Sequence, residues 1–102
     1  MGTFTKALKT SEIANGAMKE VRLMDKSVTI ANVDGEFLAF DASCTHQQCA
    51  LAGGYLDGYT LTCYCHGAMF DVSTGDVLGP PATKSINVYK TKVEGEDILV
   101  EI

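Results

Sequence analysis

Two short blocks carry the chemistry of this chain: Cys44-Thr45-His46-Gln47-Gln48-Cys49 and Cys63-Tyr64-Cys65-His66-Gly67. They contain all four cysteines and both histidines of the protein. Cys44 and His46 form a C-x-H pair, and Cys63 and His66 form a C-x-x-H pair. Ligands one or two residues apart suit a tight turn, where both side chains enter one concavity. Two such turns face to face offer two thiolates and two imidazoles. That set holds a [2Fe–2S] cluster in which two histidines replace two cysteines on one iron. The same four atoms suit a tetrahedral zinc ion. Four cysteines also permit two disulfides, in any of three connectivities.

The spacing separates these readings. C-x-H is tighter than the two to four residues usual between the first ligands of a zinc finger. A structural zinc also gives no role to the glutamines or to the two remaining cysteines. A disulfide scaffold leaves each histidine inside a cysteine block by coincidence. The iron–sulfur reading uses both blocks. Neutral imidazoles leave the cluster less negative than four thiolates would, so it accepts an electron more easily.

The whole chain limits what such a centre serves. It has 102 residues, the commonest scale for one domain, and reads as a single domain over 1–102. Its net charge of -5 excludes nucleic acid and anionic membrane as main partners and suits a basic patch on another protein. No stretch approaches the ~20 apolar residues of a membrane span. The start, Met1-Gly2-Thr3-Phe4-Thr5-Lys6, lacks the apolar run of a signal peptide. The expectation is a cytoplasmic protein with no membrane span, where cysteines serve metal or redox work more than structure.

The elements that must position the two blocks are strands. Val21 and Leu23 alternate with Arg22, and Val28 and Ile30 with Ser27 and Thr29, the period of half-buried strands. Asp34-Gly35 between two apolar runs predicts a hairpin with a type I′ turn. Ile86 and Val88 alternate with Asn87 and Tyr89, and Gly95 marks a second hairpin ahead of Ile98-Leu99-Val100-Glu101-Ile102. Phe4–Leu8 adds a strand, and helix is confined to about a turn near Thr10–Ile13. The fold class is all-β, an antiparallel sandwich or partly closed barrel. Glycines cluster within 42–82, and Gly79-Pro80-Pro81 closes that stretch. It reads as a small loop-rich, cluster-binding subdomain carried on the flanking strands. Tyr55, Leu56 and Tyr59 are expected in its core, while Gln47, Gln48, Leu51, Met69, Pro80 and Pro81 are expected around the cluster, with Leu51, Met69 and the prolines as an apolar rim. Tyr64 is expected to shield the centre or fill its loop.

Cys44-x-His46-x-x-Cys49 and Cys63-x-Cys65-His66-Gly67 resemble the two cluster-binding loops of Rieske proteins. Ser73-Thr74-Gly75-Asp76-Val77-Leu78-Gly79-Pro80-Pro81 is similar to the family's third, proline-bearing loop, and the resemblance extends over most of the chain. It implies a Rieske-like fold and a [2Fe–2S] cofactor, with Cys44 and Cys63 on one iron and His46 and His66 on the other. Cys49 and Cys65 match the pair that forms a disulfide in the high-potential branch of cytochrome bc-type complexes, so the resemblance implies a Cys49–Cys65 bridge. That branch usually places a serine and a tyrosine where this chain has Ala68 and Phe70. Without their hydroxyls the potential should lie toward the low end of the Rieske range, roughly −150 to +300 mV.

These implications describe a Rieske-type ferredoxin, archaeal-type among the possibilities: a soluble one-electron carrier, not itself an enzyme. Its expected partners are redox proteins, a reductase as donor and an oxygenase or other oxidoreductase as acceptor. Two other roles follow from the same family: electron donor to an oxygenase made elsewhere, or the soluble head of a bc-type complex. Histidine ligation would make the potential flat in acid and falling once the imidazoles titrate, which a redox titration against pH checks.

Overall fold

The computed structural model describes residues 3–43, 49–65, 67–79 and 84–102. Among these residues eleven strands run in chain order: β1 (Phe4–Lys9), β2 (Met18–Leu23), β3 (Lys26–Val33), β4 (Glu36–Asp41), β5 (Tyr55–Asp57), β6 (Thr60–Thr62), β7 (Met69–Asp71), β8 (Val77–Gly79), β9 (Val88–Tyr89), β10 (Thr91–Glu94) and β11 (Asp97–Glu101). They form three open sheets of order β1-β11-β10, β2-β3-β4-β9 and β5-β6-β7-β8, antiparallel at every pairing. No barrel closes. Helix among the described residues is limited to two 3₁₀ turns, Thr10–Glu12 and Leu51–Gly53.

The two expected hairpins are present. Val33 pairs with Glu36 across a turn whose central residues, Asp34 and Gly35, have φ of 53° and 88°. Both values are the positive φ that a type I′ turn requires. Asn15 steadies this turn, accepting from the Asp34 N–H at 2.8 Å and donating to its carboxylate at 3.1 Å. Glu94 pairs with Asp97 around Gly95, which has φ 63°.

The middle sheet is covered on both faces. One face of β2, β3 and β4 contributes Leu23, Val28, Ile30 and Ala39 to a core shared with Leu8, Ile98 and Val100 of the first sheet. The opposite face contributes Ala31 and Phe40 to a second core with Leu51, Leu61, Phe70 and Ile86. Side chains alternate across a strand, so Val28 and Ile30 of β3 enter the first core and Ala31 the second. Val28 through Val33 are consequently all buried, the polar Thr29 and Asn32 among them, not alternately so as the sequence from Ser27 to Ile30 suggests. Both polar side chains are satisfied: Thr29 Oγ1 donates to the Asp41 carbonyl at 3.2 Å, and Asn32 Nδ2 to the Ile13 carbonyl at 2.9 Å.

The segment expected to be one strand around Ile86–Tyr89 is shorter than its alternation suggests. Only Val88 and Tyr89 pair, with Phe40 and Ala39. Ile86 instead exchanges main-chain contact with the turn after β7, where its N–H donates to the Gly75 carbonyl at 2.9 Å. Gly75 has φ 88°, and the Ile86 carbonyl occupies the space a Cβ would need. Glycine is therefore required there on two counts.

Candidate metal centre

The third sheet and the end of β4 present two loops side by side. The first leaves the middle sheet at Ser43 and returns at Ala50. Its neck is closed by a Ser43–Ala50 bridge and by the Leu51 N–H donating to the Ala42 carbonyl at 2.9 Å. The second continues the β6–β7 ladder, in which Thr62 faces Met69. Its neck is closed by the Cys63 N–H donating to the Ala68 carbonyl at 2.7 Å. Within it the Gly67 N–H donates to the Cys63 carbonyl at 3.1 Å, and Gly67 has φ 77°. A β-carbon at that φ would be strained, so glycine lets the chain turn back directly after His66.

A disulfide between Cys49 and Cys65 ties the loops together, with their Cα atoms 6.5 Å apart. The sulfurs of Cys49, Cys63 and Cys65 all lie within 4.8 Å of one another. Cys63 is buried at the root of its loop, in one core with Leu51, Leu61, Ala68 and Phe70. The bridge thus brings the second loop's Cys63 against the place where the first loop ends, at Cys49. A thiolate anchored at a rigid root, beside a second loop held in register, is the arrangement that a metal cluster shared between two loops needs. The donor chemistry fits iron–sulfur ligation.

The sites expected from sequence divide accordingly. Cys63, Cys49 and Cys65 come together. Cys44, His46 and His66 lie outside the described residues, as do Gln47, Gln48, Pro80 and Pro81. Ala68 and Phe70 are buried beside Cys63. Leu51 is fully buried in that core, so it is not part of an apolar rim. Tyr55 and Tyr59 are 72% and 42% exposed and so are not core residues, whereas Leu56 packs against the core as expected. The reason is register. Leu56, Leu61 and Phe70 pair across the sheet and share its inner face, which leaves Tyr55 on the outer one. Tyr59 lies in the β5–β6 turn, where its hydroxyl donates to the Glu36 carboxylate and holds its own proton above the usual tyrosine range. Tyr64 is also exposed, its ring lying across Gly53. Sequence reasoning missed Asp41. It ends β4 just before the first loop and accepts from the Tyr89 hydroxyl at 2.6 Å and the Asn87 N–H at 2.9 Å.

Fold and site together define a β protein built to present two cysteine-bearing loops from one sheet. Residues 3–90 match the family of the Rieske [2Fe–2S] domain. The biphenyl dioxygenase ferredoxin subunit of Pseudomonas sp. (strain KKS102) is 43% identical over 100 residues, 97% of this chain and 92% of that protein. Sulredoxin of Sulfurisphaera tokodaii (strain DSM 16993 / JCM 10545 / NBRC 100140 / 7) is 51% identical over 63 residues, 60% of this chain and 56% of that one. The solved complex of reduced oxygenase and oxidized ferredoxin in carbazole 1,9a-dioxygenase contains a chain with a TM-score of 0.90 and 27% identity, matching 99% of this chain and 94% of its own length. This chain belongs to the Rieske [2Fe–2S] family. It is a cluster-binding electron carrier of the ferredoxin type. No helix among the described residues is long and apolar enough to cross a membrane.

Proposed function

We propose that this chain is the ferredoxin of an oxygenase system, taking single electrons from a reductase and handing them to an oxygenase. The observation that carries this reading is the neck: buried Cys63 packed against a disulfide that joins the two loops. The likeness to the dioxygenase ferredoxin subunit supports the choice of partners. Cys44 and Cys63 would hold one iron, and His46 and His66 the other. A [2Fe–2S] cluster supplies a one-electron couple at that position. The chain's own contribution is positional. The two necks and the Cys49–Cys65 bridge fix the loops, while Leu51, Ala68 and Phe70 keep water from the Cys63 side.

Residues 42–82 act as the cluster-carrying subdomain within a single domain spanning 1–102. The absence of a long apolar helix among the described residues and the ferredoxin relatives support a cytoplasmic site of action. Ala68 and Phe70, buried beside Cys63 with no hydroxyl to donate, support a potential low in the Rieske range. The disulfide is the observation that favours a second reading, the head of a bc-type complex.

Spectra of the dithionite-reduced protein test the proposal. A rhombic EPR signal with average g below that of all-cysteine [2Fe–2S] ferredoxins is expected. It should disappear in Cys44→Ser, His46→Ala, Cys63→Ser and His66→Ala. A colourless, EPR-silent protein containing zinc would overturn it.

A further inference from the structure

The solvent face of the third sheet has an unusual order. Pairing across the sheet places Tyr55, Thr62, Met69 and Gly79 in one row on that face. Asp57, Thr60 and Asp71 form the next row, farther from the loops. Beyond the first row, toward the loops, Tyr64 lies between Cys63 and Cys65. A Cβ at Gly53 would stand 3.1 Å from Tyr64 Cε1 and 3.3 Å from Cδ1, so the missing side chain gives the ring its seat. That ring remains 53% exposed and Tyr55 72% exposed. The face therefore runs from aromatic at the cluster end to anionic behind.

Charge along the chain agrees. Between Lys26 and Lys84 there is no lysine or arginine, while Asp34, Glu36, Asp41, Asp57, Asp71 and Asp76 all fall in that interval. The Ser73 hydroxyl, 2.5 Å from the Asp71 carboxylate, holds that group ionised by lowering its pKa. Nothing cationic in this interval neutralises the rear of the face.

We infer that the Tyr55–Tyr64 face is the docking surface for a redox-partner protein whose contact is apolar at its centre and cationic at its rim. Exposed aromatics on a rigid support lose little entropy on contact and dominate interface energies. Carboxylates behind them steer a cationic partner into place without entering the contact. Tyr64 adjoins Cys63, so a partner seated on it approaches the centre through one or two residues of backbone. This inference rests on the electron-carrier reading and adds which side of the molecule the partner meets.

Mitochondrial cytochrome c, a strongly cationic one-electron acceptor, is the probe. Its affinity for the oxidised protein by titration calorimetry, and its rate of reduction by the reduced protein, are measured at low and high salt. Both should fall with salt. Tyr64→Ala and Tyr55→Ala should each weaken affinity about tenfold, with Tyr64→Phe restoring it. Asp57→Asn should flatten the salt dependence. Met24→Ala removes a residue that is 78% exposed at the β2–β3 turn, outside this face, and should change nothing. Unchanged affinity and rate in both alanine variants, or a rate insensitive to salt, would overturn the inference while leaving the carrier reading intact. Loss of the rhombic EPR signal from the parent protein would instead remove the carrier reading, and this inference with it.

Discussion

The middle sheet and the third sheet are built on opposite principles. β3 spans eight residues with six buried in succession, whereas no strand of the third sheet exceeds three residues. Strands that short make few ladder bonds and do not hold together in water by themselves. The third sheet is secured instead from outside: by the core around Phe40 and Ala31, by Ile86 against Gly75, by Tyr59 on Glu36, and by the disulfide. One region is a platform stabilised by burial. The other is a set of turns held by cross-links. A bound metal is one more such cross-link, and its binding energy adds to the stability of the region that closes around it.

Replacing Cys63, the buried ligand proposed above, breaks this contrast most severely. Cys63→Ser should abolish the visible absorption and EPR signal completely. Amide exchange in β5–β8 should accelerate by at least about tenfold, because loss of metal-linked stability opens the region locally. Amides of β3 should keep their protection. Equal acceleration in both sheets would show that they unfold as one unit, and the distinction between platform and cross-linked turns would fail.

The disulfide is next in size. Cys49→Ser or Cys65→Ser opens a link spanning 16 residues of sequence. A loop of that length is worth about 2–4 kcal/mol. The expected result is a lower melting temperature and faster cluster loss on heating, with the β3–β4 hairpin little affected. Stability unchanged on adding a thiol reductant to the parent protein would mean that the bridge contributes nothing to holding the loops.

How much of this was legible depended on whether residue type or register decided the outcome. Asp34-Gly35 names its own turn, because its chemistry admits few alternatives, whereas the Cys49–Cys65 bridge was implied by the resemblance to the Rieske loops and not by cysteine chemistry, which left three connectivities open. Thr29 misled, since its alternation with Val28 and Ile30 suggests solvent. In fact it is buried, as is Asn32, and both are bonded to main-chain groups that only the folded neighbours supply. Tyr55 and Tyr59 misled in the other direction. Aromatic type suggests a core, but a period-2 strand has one inner face, and Leu56 had already claimed it. Leu51 shows the same limit: its 3₁₀ turn rotates it inward, a detail that loop composition does not encode.

A finer comparison concerns the inner face of the third sheet alone. Ala68 and Phe70 sit beside Cys63 without polar atoms on their side chains. A hydroxyl donating toward the cluster sulfurs would favour the more negative reduced state. One hydrogen bond of about 1 kcal/mol on a one-electron couple with 59 mV per tenfold corresponds to about 40 mV. Ala68→Ser and Phe70→Tyr should each raise the potential by that order, at a cost in stability from added bulk in a packed core. Intact variants with unchanged potentials would assign the tuning to something other than these two positions.

The smallest effect separates the two regions by pH. Asp71, in the third sheet, is held below the usual carboxylate pKa, chiefly by the Ser73 hydroxyl and also by main-chain N–H groups. Its contribution is therefore present above the unfolded value and lost as pH falls through the folded one. Tyr89, in the middle sheet, is pushed above the usual tyrosine pKa, first by burial and then by its bond to Asp41. Its contribution is present below the unfolded value and lost as pH rises through the folded one. Acid should thus loosen the β7–β8 turn first and alkali the β4–β9 pairing first. Ser73→Ala should move the acid limb toward neutral pH, by a small amount because water screens the solvent-facing Asp71 carboxylate, and Tyr89→Phe should remove its share of the alkaline limb, by about 1 kcal/mol or less. Residue-resolved amide exchange across the pH range reads both limbs. If Ser73→Ala shifts the alkaline limb, or Tyr89→Phe the acid one, the two regions share a single electrostatic fate and the contrast between them is one of architecture alone.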